Sequence, residues 1–358
     1  MRTLEVHFGQ GERYNLYIGS GVRSELANVL DVSRYSKIFV LTEQVIVDRW
    51  ETKLPALLGD AQRCTIPSGE GSKSIATAEK VWQFLLENGA DRKSLLVSIG
   101  GGMVTDLGGF VSSTFMRGLS AAHMPTTLLA QVDASIGGKT GVNFGGTKNI
   151  IGTFSQPRAV FIDTDFLTTL PQAELRSGVA EILKHGLIRD SDYFRKSVDS
   201  LKENLIPNDI EEIIARSCEI KRDIVAEDEK EGGVRKLLNF GHTFGHAFES
   251  LSHKTLSPLL HGEAVAVGMV AEAKLSNKLG MISDDDSRRI EEALRSVGLP
   301  TTLPEKFSFD SVFSLLTRDK KNVSGKIAWT LLSAIGRGEF DQQADRALVQ
   351  ASYDELFG

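Results

Sequence analysis

Apolar positions along this chain keep two rhythms, and the change between them divides the sequence near its middle. From Leu4 to Phe8 and from Tyr14 to Ile18, apolar and polar side chains alternate on either side of a glycine-containing turn, the period of a half-buried hairpin. Lys37 to Thr42 (KIFVLT), Ser94 to Ile99 (SLLVSI) and Val160 to Asp163 (VFID) are instead short continuous apolar runs, suited to strands covered on both faces of a parallel sheet. Helical spacing fills the gaps, most clearly over Ala76 to Asn88, where Val81, Phe84 and Leu85 share one face. The layout is βαβ. Beyond Leu170-Pro171 strand-like runs nearly vanish. Helical spacing then covers Gln172 to Gly186, Ile210 to Val225, Thr243 to Ser252, Glu263 to Leu279 and Asp286 to Val297. The pattern predicts an α/β domain over 1–171 and an all-α domain over 172–358, with the acidic run Glu227 to Glu231 and Gly232-Gly233 as a solvated loop.

Composition narrows the classes. A chain of 358 residues, 41% hydrophobic and 25% charged, is long enough for about two globular domains. Its net charge of -6 argues against non-specific nucleic-acid binding, so an anionic ligand needs a local cationic pocket. Cys64 and Cys218 are far apart and outside any CxxC spacing, which indicates neither a disulfide framework nor a thiolate metal site. The first residues, MRTLEVHFGQGERY, lack the apolar core of a signal peptide, and no run reaches the length of a membrane span. A soluble cytoplasmic protein without membrane partners is expected.

Three clusters carry chemistry. After the strand ending at Ile99 comes Gly100-Gly101-Gly102-Met103-Val104-Thr105-Asp106, where glycines let the backbone approach a pyrophosphate at the positive end of a following helix. The spacing is not GxGxxG, and a tight turn explains such a cluster equally well. Next, Pro125 to Asn143 (PTTLLAQVDASIGGKTGVN) and Lys148-Asn149 set Thr126, Thr127 and Asp133 among small residues, with Lys139 and Lys148 flanking a loop built on Gly137, Gly138, Gly141, Gly145 and Gly146. That glycine density exceeds what packing alone requires, and the two lysines suit a phosphate or carboxylate. Third, Glu181, the pair His242 and His246 in NFGHTFGHAFE, and His261 in LHGEAVAVG form a histidine-carboxylate set that leaves coordination positions open to substrate. Lys184 follows Glu181 by one helical step, and Arg235, Asn239 and His242 recur at helical intervals, as if from one face.

The chain resembles the 3-dehydroquinate synthases from about residue 37 to residue 337. The resemblance is carried by PSGEGSK (67–73), GGGMVTDLGGF (100–110), MRG (116–118), PTTLLAQVDASIGGKTGVN, KNIIGTF (148–154), TLP (169–171), AEILKHG (180–186), NFGHTFGHAFE, HGEAVA (261–266) and DKKNVSGKI (319–327). It implies a Rossmann-like nucleotide-binding α/β domain followed by a helical metal-binding domain, NAD and one divalent ion, zinc or cobalt, as cofactors, and a homodimer. By the same resemblance Glu70, Lys73, Gly101, Gly102, Asp106, Thr126, Thr127 and Thr169 look like NAD contacts, with Asp133, Lys139 and Lys148 close to the cofactor. Glu43 would hold the adenosine ribose, where Asp is usual. Glu181, His242 and His261 look like metal ligands. Asp133, Lys139, Lys148, Asn149, Lys184, Lys221, Arg235, Asn239, His246 and Lys320 look like the substrate pocket, and Arg117 would reach across from a partner subunit.

The implied reaction converts 3-deoxy-D-arabino-heptulosonate 7-phosphate to 3-dehydroquinate and phosphate by transient oxidation, elimination, re-reduction and aldol closure. Three other readings stay open: a polyol dehydrogenase that releases NADH, a sister cyclase acting on another sugar phosphate, and a non-catalytic NAD-binding protein. The set Arg235, Asn239 and His246 favours a substrate bearing a carboxylate.

Overall fold

A computed structural model describes residues 1–9, 11–55, 58, 61–318 and 327–357. They form two units, Met1–Leu170 and Pro171–Gly358.

The first unit is built on β1 (Arg2–Phe8), β2 (Glu12–Ile18), β3 (Ile38–Glu43), β4 (Gln62–Ile66), β5 (Leu95–Gly100), β6 (Ser120–Pro125), β7 (Lys139–Phe144), β8 (Thr147–Phe154) and β9 (Ala159–Ile162). Seven of these make one sheet in the order β1-β2-β9-β6-β5-β3-β4, antiparallel between β1 and β2 and parallel from β2 onward. The continuous apolar runs cover both faces. Leu95, Val97 and Ile99 pack with Val40, Met124 and Phe161, whereas Leu96 points the other way, into a cluster with Phe39, Leu41, Val81 and Leu85. That alternation is why an unbroken apolar segment forms a central strand rather than half a helix.

Helices α1 (Leu26–Val29), α2 (Gln44–Trp50), α3 (Ile75–Glu87) and α4 (Gly102–Thr114) belong to this unit. The chain leaves β3 for β4 on one side and returns through α3 to β5 on the other. Strand order therefore reverses between β3 and β5, and the crevice beyond the carboxyl ends of two such strands is where open α/β sheets hold ligands.

The glycine-rich stretch departs from its sequence reading as a loop. It forms the antiparallel hairpin β7–β8, with Gly145 (φ 58°) and Gly146 (φ 77°) as the two-residue turn that right-twisted strands favour. Packing also explains more of these glycines than expected. Gly141 and Gly152 face each other across the ladder, and a Cβ at Gly152 would lie 2.2 Å from the Thr140 carbonyl oxygen.

The second unit contains α5 (Gln172–Arg189), α6 (Ser191–Leu201), α7 (Ile210–Glu227), α8 (His242–Ser252), α9 (His261–Lys278), α10 (Asp284–Ser296), α11 (Phe309–Arg318) and α12 (Arg346–Asp354). It is not purely helical: β10 (Trp329–Ala334) and β11 (Arg337–Gln342) form a hairpin whose buried Trp329 packs at a tilt against Phe244 of α8. Among the described residues no helix is long and apolar enough to cross a membrane.

Candidate active site

In the first unit, the carboxyl ends of β3 and β5 carry Glu43 and Gly100. Gly101 caps α4, a helix of 13 residues whose first N–H groups have no carbonyl of their own to meet. The three glycines here also sit under close neighbours. A Cβ at Gly100 would lie 2.5 Å from Val104 Cγ2 and 3.1 Å from Glu43 Oε1, one at Gly101 3.1 Å from Thr127 Cγ2, and one at Gly102 3.1 Å from Ala134 Cβ. Bare backbone at the positive end of a helix, with the Glu43 carboxylate buried beside it, matches what a pyrophosphate and a ribose hydroxyl require. The Thr126 N–H donates to the Gly100 carbonyl (2.9 Å), which ties the turn after β6 to this loop, and the Thr127 hydroxyl accepts from the Ala130 N–H (3.2 Å) within that turn. Asp133 lies half-buried in the following π-helical turn, Ala130–Ala134.

The segment before α3 is tied to the hairpin. Buried Lys73 donates to Asp106 of α4 at 2.5 Å, and its carbonyl accepts from the Asn143 N–H at 2.8 Å. The Asn143 side chain donates to Glu70 (2.8 Å) and accepts from the Asn149 N–H (2.9 Å), with Asn149 in a left-handed conformation (φ 50°). One network thus holds Glu70, Lys73, Asp106 and Asn149 through Asn143, a residue the sequence reading passed over. Lys139 and Lys148 stand exposed on the two hairpin strands. The Thr169 hydroxyl is engaged by the Trp50 indole N–H (2.9 Å). Arg117 is exposed, in a left-handed turn with Met116 (φ 68° and 49°), backbone that costs a non-glycine residue energy.

In the second unit, Glu181, His242 and His261 converge. Their ligand-type atoms all lie within 4.8 Å of one another. His242 Nε2 is 3.5 Å and His261 Nε2 3.8 Å from Glu181 Oε1, which is fully buried and has no hydrogen-bond donor among the described residues. Each imidazole is anchored through its other nitrogen, His242 Nδ1 facing the Phe240 carbonyl (3.2 Å) and His261 Nδ1 facing Glu249 (3.5 Å). Backing of this kind turns Nε2 toward a metal and keeps it a lone-pair donor. Two imidazoles backed through Nδ1 and a buried carboxylate oxygen without a hydrogen-bond donor among the described residues fit a tetrahedral dication with an open position. His246 is one turn along α8, its ring centroid 5.3 Å from that of His242 and 6.1 Å from that of His261.

Three glycines at two helix crossings make this convergence possible. A Cβ at Gly262 would lie 2.2 Å from the Ser177 carbonyl oxygen, which presses the start of α9 onto α5 one turn before Glu181. One at Gly268 would lie 2.0 Å from the Gly241 carbonyl oxygen, and one at Gly245 3.1 Å from the Ala264 carbonyl oxygen, so α8 and α9 touch backbone to backbone.

Buried Lys184 is ion-paired with Glu181 on the same face of α5, and Lys221 is buried on α7. The expectation that Arg235, Asn239 and His242 project from one helix is corrected. Arg235 and Asn239 lie in a 3-10 turn, Val234–Asn239, and Gly241 (φ 79°) breaks the chain before His242 opens α8. Arg235 Nη1 donates to the Glu229 carbonyl (2.5 Å), and Asn239 to Glu231 (3.0 Å). The loop before them is more organised than a solvated acidic run, since Asp228 accepts from the N–H groups of Gly232, Gly233 and Arg235. Glu231, Glu249 and Glu272 were not singled out from sequence. Glu249 stands in the quoted NFGHTFGHAFE stretch and Glu272 inside α9, and nothing in local spacing separates them from surface carboxylates. Lys320 falls outside the described residues.

A family model described as the N-terminal part of 3-dehydroquinate synthase matches residues 63–177, and one for the C-terminal part matches residues 178–322. A 3-dehydroquinate synthase from Nostoc punctiforme is 43% identical over 294 residues, 81% of this chain and 80% of its own. Among solved structures, a 2-deoxy-scyllo-inosose synthase complexed with carbaglucose-6-phosphate, NAD+ and Co2+ superposes with a TM-score of 0.88 at 25% identity, covering 99% of this chain and 100% of its own. A 2-epi-5-epi-valiolone synthase from Streptomyces hygroscopicus with NAD+ and Zn2+ bound gives 0.87 at 26% identity, covering 99% of each.

Proposed function

The chain belongs to the 3-dehydroquinate synthase family, and from that premise we propose how its residues share the reaction. It is an NAD- and divalent-metal-dependent lyase of the shikimate pathway, converting 3-deoxy-D-arabino-heptulosonate 7-phosphate to 3-dehydroquinate and phosphate. The observation that carries the reading is the meeting of Glu181, His242 and His261 around a buried carboxylate oxygen without a donor.

These three residues hold the ion, zinc or cobalt. Glu43, Glu70, Lys73, Gly101, Gly102, Asp106, Thr126, Thr127 and Thr169 form the NAD site, with the helix end at Gly101 under the pyrophosphate. When bound, NAD supplies transient oxidation at C5, and the dication supplies Lewis-acid stabilisation of oxyanion charge.

The protein's own part is to place and polarise the substrate. Lys139, Lys148, Asn149, Asp133, Lys184, Lys221, Arg235, Asn239, His246 and Lys320 are assigned to its phosphate, hydroxyls and carboxylate. Fixed cations of this number suit a doubly anionic ligand, and Arg235 can grip a carboxylate with two parallel donors. The C6 proton is acidic only while C5 is a ketone. Lys139 and its neighbours set the phosphate so that one of its own oxygens removes that proton before the C–O bond breaks. His246 orients the substrate or passes a proton, being one turn from a ligand.

A homodimer, with Arg117 of each copy completing the other's site, accords with that residue's exposed, strained turn and with the exposed Phe144, Ile150 and Phe154 on the hairpin. We assign the enzyme to the cytoplasm, where NAD and sugar-acid phosphates are pooled. The test is phosphate release from the heptulosonate phosphate: it should need only catalytic NAD and stop on chelation. Release that survives a chelator, or NADH accumulating stoichiometrically with a simple polyol, would sink the reading.

A further inference from the structure

Helix α8 starts badly for a helix that must place a metal ligand. Its N-cap is Gly241, which has no side chain to offer, and its first residue is His242 itself. The exposed N–H groups are met from another helix. Glu272 of α9, fully buried, accepts from the Gly241 N–H at 2.5 Å with one oxygen and from the Thr243 and Phe244 N–H groups at 3.1 and 3.2 Å with the other. His261, the other imidazole of the cluster, is the first residue of that same α9, and there Glu263 takes the Leu260 N–H at 2.8 Å.

Two helices thus begin at the metal-type cluster, and each helix start carries about half a positive charge. Left bare, those charges would oppose a dication held by His242 and His261. A carboxylate meets each, fully buried Glu272 at α8 and half-buried Glu263 at α9.

We propose that Glu272 is a positioning residue for the metal: its carboxylate stands in for the missing cap of α8, locks His242 to the helix that carries His261, and cancels the positive charge of that helix end. This rests on the assignment of Glu181, His242 and His261 as ligands, and the test separates the two. Metal-stripped full-length protein is titrated with Co2+ alone, and binding is followed by visible absorbance.

Wild type should bind, whereas Glu272→Gln, which keeps the shape and loses the charge, should bind about tenfold more weakly or worse. Ser283→Ala supplies the control for plain destabilisation. It removes the cap of α10, whose hydroxyl accepts from the Asp286 N–H at 3.1 Å, and should lower the apo melting temperature by about 2–4 °C while Co2+ affinity holds. If Glu272→Gln does not fold, Glu272→Asp carries the comparison, since its shorter reach cannot meet all three N–H groups. Affinity within twofold of wild type in whichever variant folds overturns the proposal. A wild type that takes up no Co2+ overturns the ligand assignment beneath it.

Discussion

Histidine serves the two units in opposite ways. In the first, His123 sits buried on β6 beside its register partner Ser98, with Nδ1 lacking a hydrogen-bond partner among the described residues. Burial alone pushes its pKa down to about 4, so it is a neutral ring that fills space. In the second, His242 and His261 each spend one nitrogen on an acceptor, the Phe240 carbonyl and Glu249, and present the other to Glu181. What separates the packing histidine from the pair gathered at Glu181 is therefore an acceptor behind the ring, not burial. That acceptor also sets how each site can fail.

The largest effect should come from the ligating kind. His261→Ala is expected to lose bound metal and to lower phosphate release by on the order of a thousandfold, whereas Lys139→Ala should lower it by about a hundredfold with metal content intact. Metal analysis beside a phosphate assay reads both, and equal metal loss would erase the distinction between units.

Next comes the frame. Gly268→Val drives a side chain into the Gly241 carbonyl, whereas Gly71 in the first unit has open space around it and an ordinary backbone. Denaturant unfolding should show a loss of about 3 kcal/mol for the former and under about 0.5 kcal/mol for Gly71→Ala.

The smallest concerns His123. Its folded pKa lies below the ordinary histidine value of 6.5, so the unfolded chain binds the extra proton first, and stability present above pH 6.5 drains as pH falls toward 4. From pH 6.5 to about 5 this one group should remove about 2 kcal/mol, and His123→Leu should flatten that slope without altering it above neutrality. An unchanged acid slope in the variant would show that other groups dominate.

Legibility followed the same line. Strands covered on both faces were readable because an apolar run such as KIFVLT has few other uses, and long helices because their period repeats over several turns. The hairpin Lys139 to Phe154 was not, because its glycines read as a loop while in the fold they let two backbones and a turn close together. The second hairpin, Trp329–Ala334 with Arg337–Gln342, was missed since it is a single short ribbon in a helical half. In the site, the ligand-type residues were legible from residue type and neighbourhood. Their supports were not: Glu272 meets Gly241 across 31 positions of sequence, and Asn143 meets Glu70 across 73. A carboxylate or an amide carries no local mark of so distant a partner.

The N-terminal hairpin has a consequence for the order of assembly. β2 is paired on its other side with β9, Leu16 lying opposite Val160. During synthesis at about 5–20 residues per second, the first strands emerge roughly 10–30 s before their neighbour exists. A lone two-stranded ribbon is barely stable in water, so this edge of the sheet should close last, and a ribosome-stalled chain ending before β9 should leave β1 and β2 open to protease.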